Sequence, residues 1–287
     1  MGPLARLAIS SLLILVLLPC SPGRAAAQSV AAMPPRTLFS QSAMQVLERE
    51  FSDNSVSYLL LDANSGVLLA SHWENSGKPI PLGSLVKPFT ALAYAGAHDF
   101  RYPLYECRGQ ASGCWQVRPH GKLEIVSAIS VSCNSYFRSL AESITLEQLL
   151  PVTRTFDLES PETNFTGPSL IGIGERWKIS PVRMARAYLE LFRRREQPGV
   201  REILAGMLQS AQHGTGAAVG RALKHSEAYV KTGTAPCTHA PHAPGDGFVV
   251  ALVPAQAPEI VLMIRVHGVP GAKAAETAGR MLRRMEE

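Results

Sequence analysis

Apolar side chains recur at helical spacing in several separate parts of this chain. Residues 38–51, 84–97 and 272–285 show this spacing and are predicted to be helices. Residues 121–212 follow the same period over most of their length. We therefore expect a mainly helical middle third and a helix close to each end of the folded region.

Other apolar runs are short and bounded by turn residues, as strands are. Residues 56–61 and 67–70 flank an Asp-Ala-Asn-Ser-Gly turn, a pattern typical of a β-hairpin. Residues 229–232, 248–253 and 260–266 predict three more strands. Because strands lie toward both ends with helices between them, one sheet must be assembled from distant segments. We expect an α/β (α+β) fold, with a mostly antiparallel sheet flanked by helices and with a helical subdomain.

The first 27 residues have the composition of a secretory signal. Arg6 precedes an apolar run of about a dozen residues, and three alanines close the segment as an Ala-x-Ala-like cleavage site. Residues 28–37 are small, polar and proline-containing, which indicates a linker. One domain is then predicted over residues 38–287, because no repeat and no second linker interrupts them.

This leader predicts an extracytoplasmic, for example periplasmic, location after cleavage. Its apolar run is shorter than the roughly 20 residues that a membrane-spanning helix needs. Two alternatives are an uncleaved anchor and lipid modification of Cys20, although Pro19 stands where such sites usually have a small residue.

The charge of the chain is mildly basic and spread out. The formal net charge is +5, and it falls to +3 without Arg6 and Arg24 of the leader. The densest basic run, residues 193–195, has no interleaved aromatic residues of the kind that single-stranded nucleic acid stacks on. We expect no nucleic-acid partner.

Four cysteines follow the predicted leader: Cys107, Cys114, Cys133 and Cys237. An oxidising compartment permits disulfides, and Cys107 and Cys114 could close a short loop as one pair. Cys133 is interpreted as a buried apolar filler. Cys237 is followed by His239 and His242, but this proline- and glycine-rich stretch lacks a second ligand pair. We expect no metal and no cofactor.

The candidate chemistry lies in three short strings that are far apart in sequence. They contain Ser84 and Lys87, then Ser132 and Asn134, then the Lys-Thr-Gly-Thr string at 231–234. A serine hydroxyl is a weak nucleophile and needs an adjacent base. Residues three apart share a helix face, so Lys87 could reach Ser84, and burial would lower the pKa of the lysine enough to make it a base. The pattern predicts a serine acyl-transfer enzyme.

The third string is expected on a strand. An edge strand can pair with an extended peptide, and a second lysine would attract a substrate carboxylate. Gly233 is expected to let the substrate lie close to the backbone. Ser-x-x-Lys alone arises by chance in many chains, but three matches in order are specific.

Over residues 50–287 the sequence resembles the transpeptidase domain of penicillin-binding proteins, within the penicillin-recognising serine enzymes. The resemblance rests on Gly-Ser-Leu-Val-Lys-Pro-Phe (83–89), Ser-Cys-Asn-Ser-Tyr-Phe (132–137) and Lys-Thr-Gly-Thr-Ala (231–235). It implies a D-alanyl-D-alanine stem peptide of peptidoglycan as substrate, β-lactams as acylating mimics, and cell-wall synthesis proteins as possible partners.

The resemblance also implies a role for each motif residue. Ser84 would attack the carbonyl, Lys87 would take its proton, and Ser132 would pass a proton to the leaving amine with help from Lys231. Substrate binding would fall to four residues: Asn134, Thr232, Gly233 and Thr234. The backbone amides of Ser84 and Thr234 would form the oxyanion hole.

Two other functions fit parts of the pattern. A β-lactamase that relies on a deacylating glutamate is disfavoured, because residues 162–164 (Glu-Thr-Asn) have the wrong spacing for it. A β-lactamase that uses a carbamylated lysine at Lys87 stays open. A domain that binds β-lactam or muropeptide without catalysis, as a sensor or scaffold, is the third interpretation.

Overall fold

The computed structural model describes Gly2, residues 38–237 and residues 245–287. The predicted leader, apart from Gly2, and the predicted linker lie outside these residues, as do His239 and His242. Those predictions therefore stay predictions.

A five-stranded antiparallel sheet forms the centre of the fold, in the order β2-β1-β9-β8-β7. Its strands are β1 (Val56–Asp62), β2 (Leu68–His72), β7 (Tyr229–Ala235), β8 (Asp246–Val253) and β9 (Ile260–His267). Two small antiparallel pairs join β3 (Ile80–Pro81) to β6 (Lys178–Ile179) and β4 (Tyr105–Cys107) to β5 (Gly121–Leu123). The strand β7 lies at one edge of the central sheet.

Ten α-helices surround this sheet in the described part of the chain. They are α1 (Leu38–Glu50), α2 (Lys87–Ala97), α3 (Ile125–Ser130), α4 (Asn134–Ala141), α5 (Leu146–Thr155), α6 (Gly167–Leu170), α7 (Pro181–Arg193), α8 (Val200–His213), α9 (Ala217–Ala222) and α10 (Gly271–Glu286). Two 3-10 helices, Gly83–Val86 and Gly109–Ser112, complete the regular structure. No described helix has both the length and the apolar content needed to cross a membrane.

Both faces of the sheet are apolar, so helices cover both. Every residue of β8 is buried; Phe248, Val250 and Leu252 pack on one side, and Val249 and Ala251 pack on the other. This alternation follows from the two-residue repeat of a strand. The first side contacts the helical subdomain, which includes α2, α7 and α8, and the second contacts α1, α9 and α10. The expected antiparallel sheet, flanking helices and helical subdomain are confirmed.

The helical spacing was interpreted too broadly at two places. The segment predicted as one helix from residue 84 starts as the 3-10 helix Gly83–Val86 and becomes α-helical only at Lys87. The helical middle also contains β5 and β6, which are too short to give a two-residue pattern in the sequence. Conversely β7 continues to Ala235, three residues beyond its predicted end, so the whole third motif lies on a strand.

Candidate active site

The three sequence motifs converge on one cleft with a volume of about 300 Å³. Its walls are formed by Ser84, Trp115, Ser132, Asn134, Gly172, Ile173, Thr215, Thr232, Gly233, Thr234, Pro270 and Ala272. None of these lining residues is charged, and in particular none is Asp or Glu. The cleft therefore offers hydroxyls, an amide and backbone groups, with no carboxylate among its described walls.

Ser84 lies in the 3-10 helix Gly83–Val86, which we name the Ser84 turn, and it is half-buried. Gly83 has a φ of +58°, and a Cβ at this position would lie 2.1 Å from the carbonyl oxygen of Thr234. Only glycine combines this left-handed backbone with so close an approach to β7. From the other side, the buried Tyr188 hydroxyl donates to the Leu85 carbonyl at 2.8 Å. The turn is thus held between β7 and α7.

Lys87 is completely buried and points its amine at the second motif. Its Nζ lies 2.7 Å from the Ser132 carbonyl oxygen, 2.7 Å from Asn134 Oδ1 and 3.3 Å from Ser132 Oγ. In the described part of the chain, Lys87 makes these contacts rather than a hydrogen bond to Ser84. The two shortest contacts are to atoms that can only accept. A neutral amine can satisfy both with its two hydrogens and keep its lone pair for a hydroxyl proton.

Ser132 connects the two buried lysines of the site. Lys231 Nζ donates to Ser132 Oγ at 2.9 Å and to the Thr232 carbonyl at 2.7 Å. Ser132 has a φ of +52°, which costs a non-glycine residue about 1–3 kcal/mol and aims its side chain between the lysines. The residues that form this Lys87–Ser132–Lys231 chain are 45 and 99 positions apart in sequence.

Burial makes both lysines weak bases. Desolvation lowers the pKa of Lys87 from 10.5 to about 7. Desolvation and then the charge of Lys87 hold the pKa of Lys231 well below its usual value. Because two adjacent buried ammonium groups repel each other, a proton on one lysine disfavours a proton on the other. A neutral amine is therefore available in the site close to neutral pH.

The third motif occupies β7, which is the last strand of the sheet and pairs with no other described strand on its outer edge. Thr232 donates its hydroxyl to Thr215 Oγ1 at 2.6 Å. Thr234 Oγ1 accepts from the backbone amide of Gly271, the first residue of α10, at 2.9 Å. Both hydroxyls are therefore oriented by neighbours at the cleft wall, beside a strand edge that an extended chain could pair with.

Gly233 has a structural role in addition to the one expected at the substrate. A Cβ at Gly233 would lie 2.5 Å from the Leu82 carbonyl oxygen and 3.1 Å from the Leu85 side chain. The absence of a side chain thus lets Leu82 and the Ser84 turn pack closely on β7. Gly233 also lines the cleft, but its first requirement is the close packing of the turn on β7.

Six residues that line the cleft were not predicted as site residues from the sequence: Trp115, Gly172, Ile173, Thr215, Pro270 and Ala272. Thr215 lies between two glycines, a turn signal that could have drawn attention to it. Trp115 and Ile173 are 49% and 40% exposed, unusual for large apolar side chains, and they form an apolar rim. Exposure is a tertiary property, so the sequence held no direct sign of this rim.

The possible Cys107–Cys114 disulfide is not formed, and both residues are free thiols. Instead, the two sulfur atoms lie 3.4 and 3.5 Å from the same atom, Nδ1 of His120. Cys114 Sγ is also 3.7 Å from Cys133 Sγ, far beyond the roughly 2.05 Å of an S–S bond. The side chains of Cys107, Cys114, His120 and Cys133 therefore form one cluster, whose donor set suits a metal ion.

Comparison with known proteins gives a consistent family and fold. A family model described as the penicillin binding protein transpeptidase domain matches residues 56–285. No curated protein matches the sequence. PBP2 of Pseudomonas aeruginosa, solved in complex with WCK 5153, superposes with a TM-score of 0.68 at 16% identity, over 86% of this chain and 73% of that chain.

Two further solved structures share the fold. The transpeptidase domain of Burkholderia pseudomallei penicillin-binding protein 3 has a TM-score of 0.64 at 18% identity, over 86% of this chain and 91% of that chain. PBP2 of Helicobacter pylori, solved in complex with MreC, has a TM-score of 0.67 at 17% identity. That match covers 86% of this chain and 62% of the Helicobacter chain.

Proposed function

Because this chain belongs to the penicillin-binding protein transpeptidase domain family, we propose that it transfers acyl groups through Ser84. The proposed donor is a D-alanyl-D-alanine stem peptide of peptidoglycan, and β-lactams acylate the same serine. The observation that carries this proposal is the buried Lys87–Ser132–Lys231 chain beside a cleft that Ser84 lines.

In the first step, Ser84 Oγ bonds to the carbonyl carbon of the penultimate D-alanine. Its proton passes to the neutral amine of Lys87, whose low pKa makes it a base near neutrality. The backbone amides of Ser84 and Thr234 would stabilise the oxyanion.

In the second step, the peptide C–N bond breaks and Ser132 Oγ gives its proton to the departing D-alanine nitrogen. Ser132 is then reprotonated from the lysines that contact it. The products are a Ser84 ester and free D-alanine. An acceptor amine attacks this ester in the reverse sequence, and the proton returns to Ser84.

The walls of the cleft provide the binding roles. Asn134 would bind the amide of the donor peptide, and Thr232 and Thr234 its terminal carboxylate, with the peptide along the edge of β7. Trp115 and Ile173 would cover the apolar parts of the stem peptide.

Among the described residues that line the cleft, no Asp or Glu is present to act as the deacylating glutamate of one β-lactamase class. A β-lactamase that carbamylates Lys87 is the alternative, and the lifetime of a penicillin adduct tests it. We infer a transpeptidase with a long-lived acyl-enzyme. A carboxypeptidase differs only in its acceptor, so partition between water and an added D-amino acid distinguishes the two.

The first test follows a fluorescent penicillin on the purified protein over time. We expect a covalent adduct on Ser84 that persists for many minutes and is lost in Ser84→Ala. Ser71→Ala, at an exposed position on β2, serves as the control and should label normally. An adduct that forms and disappears while the drug is consumed would indicate a β-lactamase. A folded protein with no adduct would indicate a binding or scaffold role.

We also propose that the enzyme acts outside the cytoplasm, where its substrate lies, in accordance with the predicted leader. One fold relative was solved together with MreC, which motivates a search for cell-wall synthesis partners of this chain.

A further inference from the structure

Three buried thiol groups and one imidazole converge next to the second motif. They belong to Cys107 at the end of β4, Cys114, His120, and Cys133 immediately before α4. One ligand atom from each residue lies within 4.8 Å of every other. None of these four side chains has a part in the acyl-transfer chemistry described above.

Three of the six separations between the ligand atoms of the cluster lie close to the edges of a tetrahedron around a metal ion, and all six are within 4.8 Å. Zinc bonds of about 2.3 Å to sulfur and 2.0–2.1 Å to nitrogen give tetrahedral edges of roughly 3.8 Å for S···S and 3.6 Å for S···N. The observed S···S distance between Cys114 and Cys133 is 3.7 Å. The two S···N distances, from His120 Nδ1 to Cys107 and Cys114, are 3.4 and 3.5 Å.

We propose that Cys107, Cys114, His120 and Cys133 bind one zinc ion in a closed tetrahedral site. Three cysteines and one histidine form a donor set typical of structural zinc, which leaves no coordination position for a substrate. The thiols lose their protons as the metal binds, so three S–H bonds are replaced by three Zn–S bonds. The spacing Cys-x6-Cys-x5-His-x12-Cys brings a short surface segment and the motif loop onto the same ion.

The groups around the sulfur atoms suit thiolate ligands. Ser135 Oγ lies 3.5 Å from Cys107 Sγ and 3.0 Å from Ser112 Oγ. Such outer partners orient metal ligands and stabilise their negative charge, and removing one lowers metal affinity by about 10–100-fold.

The site would fix two walls of the cleft at once. Cys133 is the residue between Ser132 and Asn134, and Cys114 directly precedes Trp115 of the apolar rim. The ion therefore ties the strained Ser132 loop to the segment between β4 and β5. This part of the inference rests on the proposed function, and it assigns the zinc a positioning role for the second motif.

The test measures metal on the full-length chain before any activity is assayed. We expect about one zinc per chain by elemental mass spectrometry, and thiolate-to-metal absorption together with tetrahedral d–d bands after exchange with Co²⁺. Alkylation followed by peptide mass spectrometry should label the three cluster cysteines only after a chelator is added. A wild-type protein that binds neither metal would overturn the site without touching the proposed function.

Variants then locate the ion. Cys114→Ser and the milder Ser135→Ala should lose or weaken zinc binding, and Cys237→Ser, the matched control outside the cluster, should keep it. Zinc lost in Cys237→Ser but kept in Cys114→Ser would place the ion at a different group of residues, formed by Cys237, Asp246 and His267. A peptide mass showing a Cys114–Cys133 disulfide in the native protein would also overturn the proposal. If Cys114→Ser does not fold, the zinc content of Ser135→Ala and the alkylation pattern of the wild type still show whether the cluster binds zinc.

The positioning role has its own readout. Chelation should slow the labelling of Ser84 by fluorescent penicillin, and added zinc should restore the rate. If zinc binds but its removal leaves the labelling rate unchanged, the site exists and the positioning role fails. Both results are independent of whether the natural acyl donor is a stem peptide.

Discussion

At the scale of single residues, the site depends on how burial changes lysine chemistry. Lys87 and Lys231 are fully buried, and in the described structure their amines contact oxygen atoms of Ser132, Thr232 and Asn134 rather than a carboxylate. A buried ammonium without a counter-ion is costly, so each lysine favours its neutral form. Burial of the two lysines therefore lowers the stability of the fold and at the same time provides a neutral amine as the catalytic base.

The first prediction concerns the pH dependence of acylation. Because the pKa of Lys87 is about 7, the neutral base becomes more populated as pH rises through this value. The rate constant for penicillin labelling of Ser84 should therefore rise with pH and level off above about pH 8, with an apparent pKa that belongs to the lysine pair. Stopped-flow or gel-based labelling over this range measures it. A rate that is flat or falls through pH 7 would contradict the role of Lys87.

The second prediction tests the packing of Gly233. Its substitution by Ala would push a Cβ toward the Leu82 carbonyl oxygen, and a backbone atom cannot move away cheaply. The Ser84 turn should shift, and misplacement of about 1 Å can reduce the acylation rate by roughly 100-fold. Gly77→Ala is the matched control, because nothing lies within 4 Å of its added Cβ. Equal labelling rates in the two variants would show that the contact is unimportant.

At the scale of elements, the site is assembled by the edge strand β7, the Ser84 turn and the helix α7. Two aromatic side chains, Tyr188 and Phe89, connect the Ser84 turn to α7. Tyr188 of α7 bonds the Leu85 carbonyl, and Phe89, just after the turn, meets the Tyr188 ring edge-on with centroids 5.5 Å apart. The position of Ser84 thus depends on a helix that starts almost a hundred residues later in the chain.

The third prediction removes one hydrogen bond between these elements. Tyr188→Phe keeps the ring contacts but removes the donor to the buried Leu85 carbonyl, a loss that costs about 1–3 kcal/mol. The free energy of unfolding in urea should fall by this amount, and Ser84 labelling should slow. Tyr229→Phe is the control, since its hydroxyl has no hydrogen bond among the described residues. A loss of stability without slower labelling would mean that the turn is held by other contacts.

At the scale of the whole molecule, folding is linked to pH through the buried amines. In the unfolded chain Lys87 keeps a proton up to its ordinary pKa of 10.5, whereas in the folded chain it loses the proton near pH 7. Lys231 shifts in the same direction. Between these values the unfolded state binds more protons, so stability rises with pH.

The fourth prediction follows from this increase in stability with pH. Between about pH 7 and 9, the free energy of unfolding should increase with pH, and each proton taken up on unfolding contributes about 1.4 kcal/mol per pH unit. Lys87→Met removes one titrating group and should flatten the slope by up to that amount. Urea unfolding at several pH values provides the test. A stability that declines over this range in the wild type would show that the lysines stay charged when buried.

Much of the site could be predicted from short strings because each string carries its chemistry locally. Three strings were identified as candidate chemistry from the sequence, and all three reach the same cleft: residues 84–87, 132–134 and 231–234. Thr215 could not be found in this way, because its place in the site depends on a hydrogen bond to Thr232. The cysteine cluster was missed for a related reason. Cys133 is buried in the core as interpreted, but its proximity to Cys107, Cys114 and His120 depends on the tertiary fold.

The sequence by itself determined the longer helices, the strands of the central sheet and the residue types that carry the chemistry. Both are set by local periodicity and by motifs a few residues long. Only the tertiary structure decided that the buried Lys87 amine contacts Ser132 and Asn134, and that Gly233 makes room for the Ser84 turn. It also decided that the side chains of three cysteines lie together with that of His120. These facts depend on contacts across tens of residues, where burial and packing, not local preference, select the partner.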